Sequence, residues 1–80
     1  MGEPKLLCES GEAALELRKR LRLNQTVFWR HVGVTQSGGS RYESGRMVPE
    51  HVLWALHFVY GSRAEALELL AHLRKPVMKK

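Results

Sequence analysis

The sequence predicts an all-α fold, a compact bundle of about five short helices that contains a helix-turn-helix. Three observations lead there. Few stretches show the two-residue alternation of a strand, whereas apolar residues recur at helical spacing. Residues that cap helices and residues that break them stand between those runs. Near the middle, a short helix, a tight turn with a glycine and a second short helix follow one another.

The elements follow in order. Ser10 is a candidate N-cap for a first helix over about residues 12–22, where Ala14, Leu17 and Leu21 make one apolar face. Asn24 is the next plausible cap, before a second helix over residues 25–31 with Phe28, Trp29 and Val32 on its apolar side. Gly33 would end that helix in a left-handed conformation without steric cost. Thr35 can cap a third helix running to about Glu43 or Ser44, and Gly45 is its stop. Pro49 suits the first turn of a fourth helix that reaches Tyr60, with Val52, Leu53, Leu56 and Tyr60 inward. Gly61 and Ser62 make the last break. A fifth helix spans residues 64–74, with Leu67, Leu70, Ala71 and Leu73 as its apolar residues, and Pro76 stops it.

Eighty residues make one small domain, near the lower limit for a self-sufficient core. Helices this short are marginal alone, so tertiary packing must hold them. With 44% apolar and 26% charged residues the balance is globular. Residues 1–9 read as a flexible N-terminal tail holding Cys8, residues 10–75 as the domain, and residues 76–80 as a basic C-terminal tail. No apolar run approaches the roughly 18 residues of a membrane span, and the first residues lack a secretory pattern. A single cysteine excludes an internal disulfide and a zinc finger. The expected location is cytoplasmic.

The net charge is +5 and the isoelectric point is near 9.9. Its distribution says more than its size. Residues 1–16 carry Lys5 against four acids, for −3. In residues 17–47, Arg18, Lys19, Arg20, Arg22, Arg30, Arg41 and Arg46 face a single acid, Glu43, for +6. Basic residues can simply solvate exposed helix faces. Their concentration in one window, among Ser, Thr and Gln, points to a phosphate-facing surface.

That window holds the motif. Residues 25–44, QTVFWRHVGVTQSGGSRYES, place apolar side chains at Phe28, Val32, Val34 and Tyr42 and begin the second helix of the pair with polar residues. The stretch resembles the XRE type of helix-turn-helix domain, the lambda-repressor-like and Cro-like group. The matching residues are Arg18, Asn24, Gln25, Phe28, Val32, Gly33, Val34, Thr35, Ser40, Glu43, Gly45 and Pro49. The resemblance implies duplex DNA as partner, with one helix across the backbone and the next in the major groove. By position it implies that Gln25 holds a phosphate, and that Gln36 and Ser37 reach base edges. Arg41 would contact a base or a phosphate, and Ser40 and Arg46 the backbone. Thr35 belongs to the same DNA-facing set, at the start of the reading helix. Gln can pair bidentately with adenine, and Arg with guanine. Arg18 and Glu43 would form the family's internal ion pair, which removes the carboxylate from the neighbourhood of phosphates.

Two positions depart from the family. Trp29 stands where Ala is usual, and Gly39 where Ile or Val points into the core. Two glycines, Gly38 and Gly39, should also loosen the third helix, at about 0.5–1 kcal/mol each relative to Ala. Either the indole fills the volume vacated at Gly39, keeping core volume constant, or Trp29 is partly exposed and the helix irregular. The ring lying within about 6 Å of Gly39 distinguishes the first possibility from the second.

Other signals are weaker. Residues 33–40 resemble a phosphate-binding P-loop, but Gly39 replaces the lysine and no strand precedes it. His31, His51, His57 and His72 lack metal-ligand spacing and read as solvated or partly packed. No nucleophile–base constellation appears, so neither catalysis, cofactor nor metal is expected. The fifth helix is more apolar than one buried face needs. It is either well packed or, with Trp54 or Phe58 of the fourth helix, a surface for a two-fold dimer. The function implied is a sequence-specific DNA-binding transcriptional regulator, a repressor on a palindromic operator. The alternatives are a protein-interaction module, as an antitoxin or adaptor component, and a DNA binder without sequence preference.

Overall fold

Each helix begins where a side chain or a kinked backbone can start it. The computed structural model describes residues 4–78, which form five helices and no strand. α1 (Gly11–Leu21) follows Ser10, whose hydroxyl accepts from the Ala13 amide at 3.1 Å. α2 (Gln25–Arg30) follows Asn24, whose side-chain oxygen accepts from the Val27 amide at 2.8 Å. α3 (Gln36–Glu43) follows Thr35, whose hydroxyl accepts from the Gly38 amide at 3.1 Å. Each bond satisfies a donor that the first turn leaves unpaired. α4 (Glu50–Tyr60) follows Pro49, which lies just outside the helix with extended backbone and not in its first turn. α5 (Arg63–Met78) opens on a reciprocal capping box: the Glu65 amide donates to the Ser62 hydroxyl, and the Ser62 amide to the Glu65 carboxylate.

The core gathers Ala14 and Leu17 of α1, Phe28 and Trp29 of α2, and Val52 and Leu56 of α4. Val48, from the loop before α4, closes it. Phe28 stacks on Tyr60 with ring centres 4.6 Å apart and meets the edge of Trp29 at 5.2 Å. The Tyr60 hydroxyl donates to the Phe28 carbonyl at 2.7 Å, which ties the end of α4 to α2. α3 packs on α1 and α2, and α5 packs on α4. The only residue of α3 that is fully buried is Gly39.

The structure corrects several expectations. Cys8 was expected in a flexible tail but is 1% exposed and belongs to the core. Its neighbour Leu7 is anchored by an amide that donates to His57 Nδ1 at 2.9 Å. His57 is itself buried and neither solvated nor partly packed. Since Nδ1 accepts, the ring proton sits on Nε2, which donates to the Glu65 carbonyl at 3.0 Å. One imidazole thus joins the N-terminal segment, α4 and α5. Burial pushes the Cys8 thiol up from its ordinary pKa against the opposing charge of Arg20, so the thiol stays protonated. Leu21 is exposed at the end of α1. Among the described side chains of α5 the buried one is Leu69, while Leu67 and Leu70 are exposed. Pro76 does not stop α5, which continues to Met78. Lys79 and Lys80, expected in a basic tail, lie outside the described residues.

Candidate nucleic-acid interface

α2 and α3 are joined by a turn that must redirect the chain within a few residues. The Val32 and Val34 amides both donate to the Trp29 carbonyl, at 3.1 and 2.9 Å. Gly33, between them, has φ +76°, a conformation that side-chain-bearing residues rarely adopt. Gly45 takes the left-handed region after α3, with φ 117°.

Trp29 sets how close α2 and α3 come. Its ring is fully buried, and a Cβ built at Gly39 would overlap its Cδ1 and Cγ and stand 2.7 Å from Nε1. The indole therefore occupies the space that a side chain at position 39 would need. The glycine in α3 is a consequence of the tryptophan in α2, and the compensation expected from the two departures is present.

The same indole holds a carboxylate. Glu43, at the last residue of α3, accepts four hydrogen bonds. Arg18 grips it through Nε at 2.7 Å to Oε2 and through Nη2 at 3.0 Å to Oε1. Gln25 Nε2 adds a bond of 2.9 Å to Oε1, and Trp29 Nε1 one of 2.8 Å to Oε2. The remaining Arg18 nitrogen, Nη1, donates to the Leu23 carbonyl at 3.0 Å. The pair is largely withdrawn from solvent, with side chains 18% and 6% exposed. Burial pushes the Glu43 carboxyl up. The bonds from Arg18, Trp29 and Gln25, with the Arg18 charge, outweigh burial and hold the group below the usual carboxylate range. Among the described residues no buried side-chain polar atom lacks a partner.

The network reaches the front of α3. Gln25, whose Nε2 is on Glu43, accepts from Gln36 Nε2 at 3.1 Å through its own Oε1. The anticipated site residues are arranged around this chain. Thr35, Gln36, Ser37 and Arg41 are exposed, and Ser40 is half-buried. Residues 36 and 40, and residues 37 and 41, are one turn apart, so they share the outer side of α3. Gln25 is half-buried and engaged at both ends of its amide. Arg46 is exposed beyond α3, where its amide donates to the Arg41 carbonyl at 3.0 Å. Arg18 and Glu43 face each other inside and not the outer surface.

A family model described as the RsaL-like HTH domain matches residues 15–59. The chain belongs to the RsaL-like helix-turn-helix family. No curated protein and no solved structure was found to match it. The RsaL-like span opens within α1 and closes within α4, so it contains the whole Glu43 network and the entire α2–turn–α3 unit. This is a DNA-binding domain, and the basic segment lies wholly inside or within a few residues of α1–α3. No helix among the described residues is long and apolar enough to cross a membrane.

Reading the sequence missed two features of the RsaL-like unit. Trp29 was weighed only as volume, yet a buried indole N–H needs an acceptor. The one carboxylate in the basic window could have been named as that acceptor. Thr26 was not singled out, and Arg30 counted only toward the charge of the basic window. They fall four residues apart on α2 and line a cleft against the turn and Gln36.

Proposed function

We propose that the protein is a sequence-specific, duplex-DNA-binding transcriptional regulator, a cytoplasmic repressor acting on a palindromic operator as a dimer. One observation carries this reading. The single acid of the basic segment is occupied by four donors, which leaves the outer face of α3 with Gln36, Ser37, Ser40 and Arg41 and no carboxylate. Such a face can approach phosphates without repulsion and offers amide and guanidinium groups to base edges. Gln25 and Gln36, linked to each other, would divide the work between phosphate and base, as the XRE-type resemblance suggests. Thr35 and Arg46 would flank them on the backbone. A dimer through α4 and α5 is supported by Phe58, Val59, Leu67 and Leu70, four large apolar side chains exposed on those two helices. A two-fold pair would set two α3 helices about 34 Å apart, one turn of DNA. No catalytic, cofactor or metal role is part of the proposal.

A gel-shift titration at low salt, on random duplex and on the promoter of the protein's own gene, tests it. Tighter binding to the promoter supports the reading. Equal binding to both makes the protein a DNA binder without preference. Binding to neither leaves a protein-interaction module as the function of this fold.

A further inference from the structure

α2 carries a second polar surface beside the Glu43 network, and Gln36 borders both. Thr26 and Arg30 lie one helical turn apart on its exposed side. With Gly33, Val34, Thr35 and Gln36 they enclose an open cleft of about 360 Å³ between α2, the turn and the start of α3. Nothing fills the space beside Gly33: a Cβ built there would meet no atom within 4 Å. Arg30 has no acid partner, because the ion pair found among the described residues is Arg18–Glu43. A guanidinium without an ion pair among the described residues, an exposed hydroxyl and a side-chain amide therefore line one concavity.

We infer that this cleft takes a backbone phosphate of the DNA, held by Arg30 with the Thr26 hydroxyl as a second donor. The inference rests on the DNA-binding function proposed above. In a helix-turn-helix the first helix crosses the sugar-phosphate backbone while the second lies in the groove. A duplex laid on α3 so that Gln36 meets base edges brings the flanking strand along the side of α2 where Arg30 stands. A guanidinium can hold two phosphate oxygens at once, which suits it to positioning the duplex. Arg30 thus fixes register and Gln36 reads sequence.

The test uses the full chain on a duplex that the wild type binds, with Arg30→Ala, Arg30→Lys and Thr26→Ala, over 50–200 mM salt. Arg30 is exposed, and an unchanged melting temperature establishes that its variants fold. Arg30→Ala is expected to weaken specific and random duplexes by the same factor and to lower the salt slope by about 0.9, the share of one phosphate. Over that fourfold salt range the gap between wild type and Arg30→Ala should narrow by about 3.5-fold. Arg30→Lys keeps the charge and should keep the slope. Thr26→Ala should weaken binding without altering the slope. Wild-type affinity and slope in Arg30→Ala would overturn the inference while leaving DNA binding intact. A changed base preference in Arg30→Ala would overturn it too, since Arg30 would then be a base reader. A wild type that binds no duplex would overturn both this inference and the function on which it rests.

Discussion

The indole of Trp29 lies against the backbone of Gly39, in the space where a side chain on α3 would otherwise stand. Size at one position and its absence at the other are a single feature of the packing. The usual rank of helix formers should therefore invert here. In an open helix Gly→Ala stabilises by about 0.5–1 kcal/mol. Gly39→Ala should instead destabilise by about 1–3 kcal/mol, as overpacking does. Gly39→Ile should cost more. The companion change should compensate in part: Trp29→Ala, expected alone to cost about 3–5 kcal/mol through its cavity, should cost less in the Trp29→Ala/Gly39→Ile double variant, which restores the volume but not the Nε1 bond to Glu43. Urea denaturation of the four proteins gives the coupling energy, and additive effects would mean that the two sites do not share a volume.

Glu43 should matter for stability before it matters for DNA. Glu43→Gln removes the charge that Arg18, Gln25 and Trp29 converge on. A loss of about 3 kcal/mol is expected, the low end for removing one partner of a buried pair. Trp29→Phe keeps the ring but deletes the Nε1 donor, and should cost about 1.5–3 kcal/mol as a bond to a charged group. Unchanged melting temperatures would show that the carboxylate is not a fastening of α3.

The pH dependence has a defined sign. Glu43 ionises more readily folded than unfolded, where its value is about 4.5. Around and below that pH the unfolded chain binds the extra proton, so stability falls as pH falls. The contribution of Glu43 is fully present above about 4.5 and lost as pH drops through its lower folded value. Glu43→Gln does not titrate there. The stability gap between wild type and Glu43→Gln should therefore be wide at neutral pH and narrow under strong acid. Melting curves at both pH values check this, and a constant gap would contradict it.

His57 joins the N-terminal segment to the corner between α4 and α5. His57→Ala removes the acceptor of the Leu7 amide and the donor to the Glu65 carbonyl together. Cys8, adjacent to Leu7 and buried, should then become reachable. Labelling by a thiol reagent is expected to be slow in the wild type under native conditions and at least tenfold faster in His57→Ala. Equal rates would mean that the imidazole does not hold the segment down.

Basic residues of the 17–47 segment should separate into two classes. Arg22→Ala and Arg46→Ala are expected to weaken all duplexes alike and to lower the salt slope by about 0.9 each. Arg41→Ala should relax base preference, at about 1–3 kcal/mol of discrimination. Salt titrations on specific and random duplexes distinguish the two behaviours. Indifference to all three changes would refute the proposed DNA-facing surface.

Much of this was legible in the chain because the determinants are local. Ser10, Asn24 and Thr35 announce helix starts through hydrogen bonds three residues away, and Gly33 announces the turn through its own φ. The Arg18–Glu43 pair was legible from the resemblance and from the oddity of one acid in a basic window. What escaped depends on distant partners. Cys8 looks like tail until His57, about fifty residues away, is seen accepting the Leu7 amide. The apolar residues of α5 cannot be sorted by spacing alone. Leu69 is buried while Leu67 and Leu70 are not, and only the way α5 lies on α4 decides that. The cleft at Arg30 needs two helices and a turn brought together, so no single segment displays it.

Selection of bound sequences from a random duplex pool tests the central claim most directly, with wild type and Arg41→Ala run in parallel. The account predicts a short symmetric motif enriched by the wild type, with one position in each half relaxed by Arg41→Ala. A pool that stays random after repeated rounds, although the wild type retains duplex at low salt, would contradict it.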